Sequence, residues 1–227
     1  MLHRILQAHA SAFHPVVELP DQLLRLDLSS KNPIADERVF FNTATFHTYI
    51  NALLSASGAM AAVGGYNENR VIYQRSNHFA GQEPRSVHLG IDIWTAAGTA
   101  VYAPLESTVH SFADNNRFGD YGPTIVLCHT LDSVVFYTLY GHLSRKSLDN
   151  LHEGQTFAAG EKIGEIGNFP ENGDWPPHLH FQIIAHMQGM KGDFSGVTAP
   201  SQREHYLKIC PDPNLILQLP ILNTPNS

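Results

Sequence analysis

Three short runs carry side chains able to do metal or acid–base chemistry. In His88-Leu89-Gly90-Ile91-Asp92 an extended chain alternates faces. His88, Gly90 and Asp92 then share one side, and Leu89, Ile91 and Ile93 the other. One side carries an imidazole, a gap and a carboxylate; the other is apolar. Gly90 leaves room for another group to approach the backbone. Taken alone, this run is equally a surface strand with one His and one Asp. In Pro177-His178-Leu179-His180-Phe181-Gln182-Ile183, His178, His180 and Gln182 fall on one face and Leu179, Phe181 and Ile183 on the other. Two imidazoles spaced this way converge on one point, a common way to build a metal site but one shared by unrelated β-proteins. In Tyr137-Thr138-Leu139-Tyr140-Gly141-His142-Leu143-Ser144, His142 shares a face with Phe136, Thr138 and Tyr140. It sits at a strand end, where the rims of sites form.

The elements that must position these runs are short strands. They are expected near 86–93, 99–103, 106–113, 124–130, 134–142, 155–157, 162–166 and 178–185, where Val, Ile, Tyr, Phe and Thr dominate between glycine and Asn/Asp turns. Such spacing argues for a mainly β fold, an antiparallel sheet or sandwich. Upstream, Phe40, Ala44, Ile50 and Leu54 recur near a 3.6 period, so a helix is expected over 37–54 with Asp36 as its N-cap. His47 reads as a residue of that helix's surface. Residues 1–36, with prolines at 15, 20 and 33, read as irregular, and 69–74 as a strand after the Gly64-Gly65 break. Five prolines between 200 and 225 suggest a wrapping tail. The expected organisation is an accessory segment with one helix over 1–80, a core over 81–190 and an extension over 191–227.

Composition narrows the function classes. The chain has 227 residues, 43% hydrophobic and 15% charged, which excludes a wholly disordered protein. Its net charge is −7 without a basic patch, so nucleic acid is not an expected partner. Two cysteines, Cys128 and Cys210, make no disulfide or metal framework. The N-terminal apolar residues are broken by Arg4, Gln7 and His9, so no signal-peptide core is present. The longest uncharged stretch, 51–65, is too short and polar to span a bilayer. No membrane association and a cytoplasmic location are therefore expected; a specialised export route is also compatible. The 14 histidines equal Lys and Arg together, and histidine is the commonest metal ligand.

Taken in order, the motifs resemble peptidase family M23, the zinc metallopeptidases of the lysostaphin and LytM type. HLGID fits the family's H-x-G-x-D, and Gly98 to Pro104 its G-T-x-V-x-A strand. Ile125 to His129 fits a strand ending in His, YGHLS the Y-x-H-L-S motif, and Gly154 to Gly167 a glycine-marked hairpin. HLHF closes the pattern. The resemblance implies the lysostaphin/LytM fold. It places one zinc ion on His88, Asp92 and His180, and catalytic roles on His142 and His178. Three protein ligands leave a fourth position for water, whose pKa the ion lowers towards ~7. One histidine would take the water's proton; the other would stabilise the oxyanion or protonate the leaving amine. His129 reads as a packed, hydrogen-bonded residue and Cys128 as a small buried hydrophobe. Tyr140 faces either the groove or the core.

The chain departs from the family pattern in two places. Where envelope-cleaving members carry a Thr-Gly, Ser-Thr-Gly-Pro stretch, residues 168–177 hold Trp175 and three prolines, bulking a loop expected to wall the groove. The tail from Gln202 to Pro220 is similar to the M23 segment found fused to phosphotransferase-like and class III aminotransferase domains. The implied function is a zinc-dependent endopeptidase or amidase acting on a peptidoglycan-type or small peptide-like substrate. The alternatives are a peptide- or ligand-binding regulatory module keeping the zinc site, and a cupin-like dioxygenase. The last leaves HLGID unexplained and lacks the Glu expected soon after the His pair.

Overall fold

A computed structural model describes residues 1–32 and 37–223. Its helices are α1 (Leu2–Ala8), α2 (Glu37–Phe41), α3 (Thr43–Ser57), α4 (Arg203–Ile209) and α5 (Asn214–Leu217). Its strands are β1 (Leu23–Arg25), β2 (Ala61–Gly64), β3 (Val87–His88), β4 (Ile91–Trp94), β5 (Ala100–Tyr102) and β6 (Ser107–Asn115). They continue with β7 (Gly122–Leu131), β8 (Val134–Gly141), β9 (Thr156–Phe157), β10 (Lys162–Glu165), β11 (His178–Ile184) and β12 (Val197–Thr198). The fold is mainly β, built on one eight-stranded sheet of order β1-β2-β4-β11-β8-β7-β6-β9. All its pairings are antiparallel except β1 with β2.

The central hairpin shows how the sequence sets this register. Asp132 and Ser133 both take positive φ, 48° and 63°, between Leu131 and Val134, which pair directly. Two such residues make the tight turn whose twist matches that of the strands. Period-two alternation then sorts the faces. Ile91 and Ile93 of β4, Leu179, Phe181 and Ile183 of β11 and Tyr140 of β8 enter one core cluster, which Leu6 of α1 and Ile216 of α5 complete. The opposite side presents His88, Asp92, His178 and His180. Tyr140 is thus a core residue, with its hydroxyl accepting from Thr138 Oγ1 at 2.9 Å.

Several expectations are corrected. The helix expected over 37–54 is broken at Asn42, whose side chain accepts the Thr45 N–H at 3.0 Å and caps α3. Gly58 ends α3 in the left-handed conformation. The N-cap proposed at Asp36 lies outside the described residues. Residues 1–32 are less irregular than expected, holding α1 and β1. The segment 69–74 is not a strand: it makes single bridges at Asn69 and Arg70 and then a 3₁₀ turn over Ile72–Arg75. β2 was missed because a strand buried throughout shows no alternation. The run 86–93 is interrupted at Leu89-Gly90, with β3 pairing to β12 and β4 to β2 and β11. Cys128 is half-buried rather than fully buried. Among the described residues, no helix is long and apolar enough to cross a membrane.

α3 packs Phe46 and Ile50 into a second cluster with Trp94 and Trp175. Phe46 is fully buried, which contributes roughly 1.5–3 kcal/mol. Its ring centroid lies 5.5 Å from that of Trp94, and Trp94 stacks on His178 at 4.0 Å. A helix of the N-terminal segment thereby packs on the histidine-bearing face of the sheet, beside His178.

His129 gives the fold an acid-sensitive contact. It is 1% exposed, stacks on Phe136 and lies 2.7 Å from Thr138 Oγ1. Burial lowers its pKa from 6.5 to about 4. The folded state therefore binds fewer protons than the unfolded state between those values, and stability falls as pH drops through that window. We expect His129→Gln to lessen the stability lost between pH 7 and 4.5 by about 2–3 kcal/mol, measured by denaturant unfolding at both pH values. An unchanged loss would remove His129 as a source of acid sensitivity.

Candidate metal centre

The sheet brings the three runs to one place. Asp92 and His180 are direct register partners on β4 and β11, and His180 is also opposite Gly141 of β8, one residue before His142. His88 reaches the same point from β3. All five residues singled out by sequence are together, and none is more than 6% exposed. Gly90 fulfils the role its smallness implied: a Cβ there would meet His180 Cε1 at 2.5 Å and Phe181 O at 2.8 Å.

Hydrogen bonds determine which nitrogen of each imidazole is free. His88 Nδ1 donates to Gly65 O at 2.9 Å, His142 Nδ1 to Asn172 O at 2.8 Å and His178 Nδ1 to Pro176 O at 2.7 Å. A carbonyl only accepts, so each of these rings keeps an unprotonated Nε2. His180 is reversed. Its Nε2 donates to Gln182 Oε1 at 2.9 Å, and Gln182 Nε2 in turn donates to Ser195 O and Cys210 Sγ, which fixes the amide's orientation. His180 therefore offers Nδ1.

Those free atoms converge. His88 Nε2 and His180 Nδ1 are 2.8 Å apart, and Asp92 Oδ1 lies 3.4 Å from the first and 3.3 Å from the second. Asp92 Oδ1 is buried and has no hydrogen-bond partner. Two lone pairs and an orphaned carboxylate oxygen facing one another repel, and a cation between them removes the repulsion. Among the described residues, His88, Asp92 and His180 form the group that could hold a metal ion. The donor set of two nitrogens and one oxygen fits a metal of the zinc type.

The electrostatics fit the same picture. Burial, reinforced by the Arg70 charge, pushes the His88 pKa down to about 3. Burial takes His178 down to about 4, and burial with the neighbouring His178 holds His142 well below its usual value. All three rings are neutral at pH 7, as ligands and bases must be. Burial alone would raise the Asp92 carboxyl, but His88, Arg70 and His178 outweigh it and hold the group well below the usual carboxylate range.

His142 and His178 sit beside this group with ring centroids 4.2 Å apart. His178 Nε2 lies 3.9 Å from Asp92 Oδ1. His142 takes φ 62° just past β8, an uncommon conformation for a residue with a Cβ. It is held there by its N–H to Tyr121 O, its carbonyl accepting from Gly167 N, and its ring bond to Asn172. Asn172 is fully buried and ties the 168–177 loop to itself through Gly167 O and Trp175. Trp175, expected to wall the groove, is 3% exposed and lies 6.2 Å from His142 and 6.4 Å from His178 between ring centroids. The histidines open into a cavity of about 90 Å³ that Tyr73, His78, Tyr121, Trp175 and Phe194 also line.

Sequence reasoning missed several residues of this shell. Arg70 and Tyr73 carry no local pattern, Tyr121 precedes a strand, and His78 has no paired spacing. The acceptors at Gly65, Asn172 and Pro176 are backbone atoms that composition cannot reveal. Gln182 was visible as the third residue of the HxH face.

This is a mainly β domain with a buried, histidine-rich candidate metal centre. Residues 86–192, just under half of the chain, match the model of peptidase family M23. The chain is 31% identical over 131 residues to a protein of Haemophilus influenzae named an uncharacterized metalloprotease, a match covering 54% of this chain and 25% of that relative. It is 27% identical to a zinc-containing peptidase of Vibrio cholerae, over 43% of this chain and 27% of that one, with a TM-score of 0.33. It is 28% identical to the catalytic domain of the antimicrobial peptidase lysostaphin from Staphylococcus simulans, over 54% and 80% of the two chains, with a TM-score of 0.37. The chain thus spans about a quarter of the length of the first two relatives. None of these matches bears on the fused arrangement that the tail resembles.

Gly90 supplies a test of the packing at this centre. Gly90→Ala should push the His180 ring out of register and lower stability by roughly 1–3 kcal/mol, read by chemical denaturation. Unaltered stability would mean that His180 is not held against the β4 backbone.

Proposed function

We propose that this chain is a zinc-dependent peptidase or amidase, with the ion on His88, Asp92 and His180 and with His142 and His178 as catalytic groups. The observation that carries the reading is the convergence of His88 Nε2, His180 Nδ1 and Asp92 Oδ1 on one buried point beside two further neutral imidazoles. The match of residues 86–192 to the family model and the metalloprotease relative support it.

A zinc ion held there supplies Lewis-acid charge, which polarises a scissile carbonyl and acidifies a water molecule. The chain's own groups do the rest. His142 and His178 each present an unprotonated Nε2 to the cavity, because each Nδ1 is committed to a carbonyl. A neutral Nε2 can accept the proton of the attacking water and, once protonated, pass it to the leaving nitrogen. The second ring can stabilise charge developing on the carbonyl oxygen once its Nε2 has taken up a proton. Stacking on Trp94 holds His178 in plane, and the φ of His142 fixes the direction from which its ring enters.

The substrate is a peptide or peptide-like amide, peptidoglycan-type peptides included. Trp175 and Phe194 supply aromatic walls to the cavity that would receive it.

The test is metal analysis and turnover on the purified protein with a panel of peptides and amides. Asp92→Ala should lose stoichiometric zinc while keeping its β-sheet spectrum. His178→Ala should keep zinc and lose about 10²–10⁴-fold in kcat. Tight ligand binding with no hydrolysis in the zinc-loaded wild type would favour a binding module. Retained zinc in Asp92→Ala would remove that residue from the ligand set.

A further inference from the structure

Asp92 has two oxygens, and they live in different surroundings. Oδ1 faces His88 and His180 with no hydrogen-bond donor. Oδ2 accepts from Arg70 Nη1 at 2.6 Å. The same guanidinium donates through Nε to Glu68 Oε2 at 2.6 Å, and Nη1 lies 3.4 Å from the Tyr73 hydroxyl. The side chains of Arg70, Asp92 and Glu68 are 1%, 3% and 11% exposed. Glu68 and Arg70 precede the segment that matches the peptidase family.

We propose that Arg70, anchored by Glu68, is a positioning residue that holds Asp92 so that only Oδ1 is offered to the ion. The proposal rests on the reading of Asp92 as a metal ligand.

Three observations carry it. First, the bond is charge-assisted and buried, so it is stronger than its surface counterpart, and swinging Asp92 to present both oxygens would break it. Second, Glu68 makes the clamp rigid. A buried guanidinium with one carboxylate could follow that carboxylate; one held between two cannot. Third, the backbone is shaped for it. Gly65 takes φ 104°, and a Cβ there would fall 1.7 Å from Arg70 Nη2. The carbonyl of that same glycine accepts the His88 ring proton. One residue thus makes room for the clamp and locks a neighbouring imidazole.

A carboxylate limited to one oxygen keeps the protein ligands at three and leaves a coordination position for water or substrate. Arg70 also draws on the carboxylate's charge, so Asp92 donates less to the ion and the ion stays more electrophilic. The N-terminal segment would in this way help set the coordination of a centre whose ligands all lie downstream of it.

The experiment uses full-length protein loaded with cobalt(II), whose visible spectrum reports ligand number. Its readouts are band intensity, cobalt affinity by chelator competition, and thermal unfolding of the metal-free protein. Arg70→Gln should lower the band intensity as Asp92 leaves its one-oxygen mode and weaken affinity about tenfold or more. Arg70→Lys, which keeps the charge but cannot bridge both carboxylates, should recover only part of either change. If Arg70→Gln does not fold, Glu68→Gln decides, since it leaves the contact with Asp92 in place and removes only the anchor. It should shift the spectrum in the same direction and weaken affinity several-fold. A folded Arg70→Gln, or failing that Glu68→Gln, with the wild-type spectrum and affinity overturns the proposal alone. A wild-type protein that binds no cobalt overturns the metal reading and this proposal with it.

Discussion

Everything at this centre depends on the hydrogen bond each histidine makes with its outward nitrogen. A neutral imidazole has one proton and one lone pair, and whichever nitrogen donates surrenders the other to the site. Gly65, Asn172 and Pro176 carbonyls and the Gln182 amide take the four protons. The lone pairs are thereby aimed inward before any ligand arrives. Acceptors of this kind orient an imidazole and raise its basicity. Burial adds to the effect by disfavouring protonation of His88, His142 and His178.

The sheet is the frame that makes those bonds possible. Direct pairing of Asp92 with His180 places a carboxylate and an imidazole on adjacent strands at the same height, on the same face. The opposite faces of β4 and β11 enter the main cluster. A register slip of one residue would exchange the two sets, burying the polar groups in that core, so the core enforces the alignment of the site. The flanks complete the arrangement. α3 packs through Phe46 onto Trp94 beside His178, the 168–177 loop holds His142 through Asn172, and Gln182 is fixed by Ser195 and Cys210. Residues outside the segment matched to the peptidase family therefore support the centre from both sides.

Much of this was legible beforehand. The eight expected strands correspond to observed ones, the first of them split into β3 and β4, because polar and apolar residues alternate along them or because turns bracket them. The five residues that meet at the candidate centre were legible because few residue types could ligate a metal and strand spacing restricts faces. β2 was not, since a fully buried strand looks like any apolar run. Nor was the break at Asn42, where a capping side chain overrides helical periodicity. Arg70 was invisible for another reason: a guanidinium in an irregular segment shows no period, and its partner Asp92 is 22 residues away.

By itself, then, the sequence determined the mainly β class, the faces of the strands and the identity of the histidines and aspartate able to meet a metal. Those properties follow from local rules, the two-residue pleat and the chemistry of imidazole and carboxylate, and they need no long-range information. Only the tertiary structure decided which nitrogen of each ring is free, which oxygen of Asp92 is committed to Arg70, and which side chains line the cavity beside them. Each of those depends on atoms far apart in the chain, several of them backbone carbonyls common to every residue type. Their positions are specified by packing, and residue identity does not encode them.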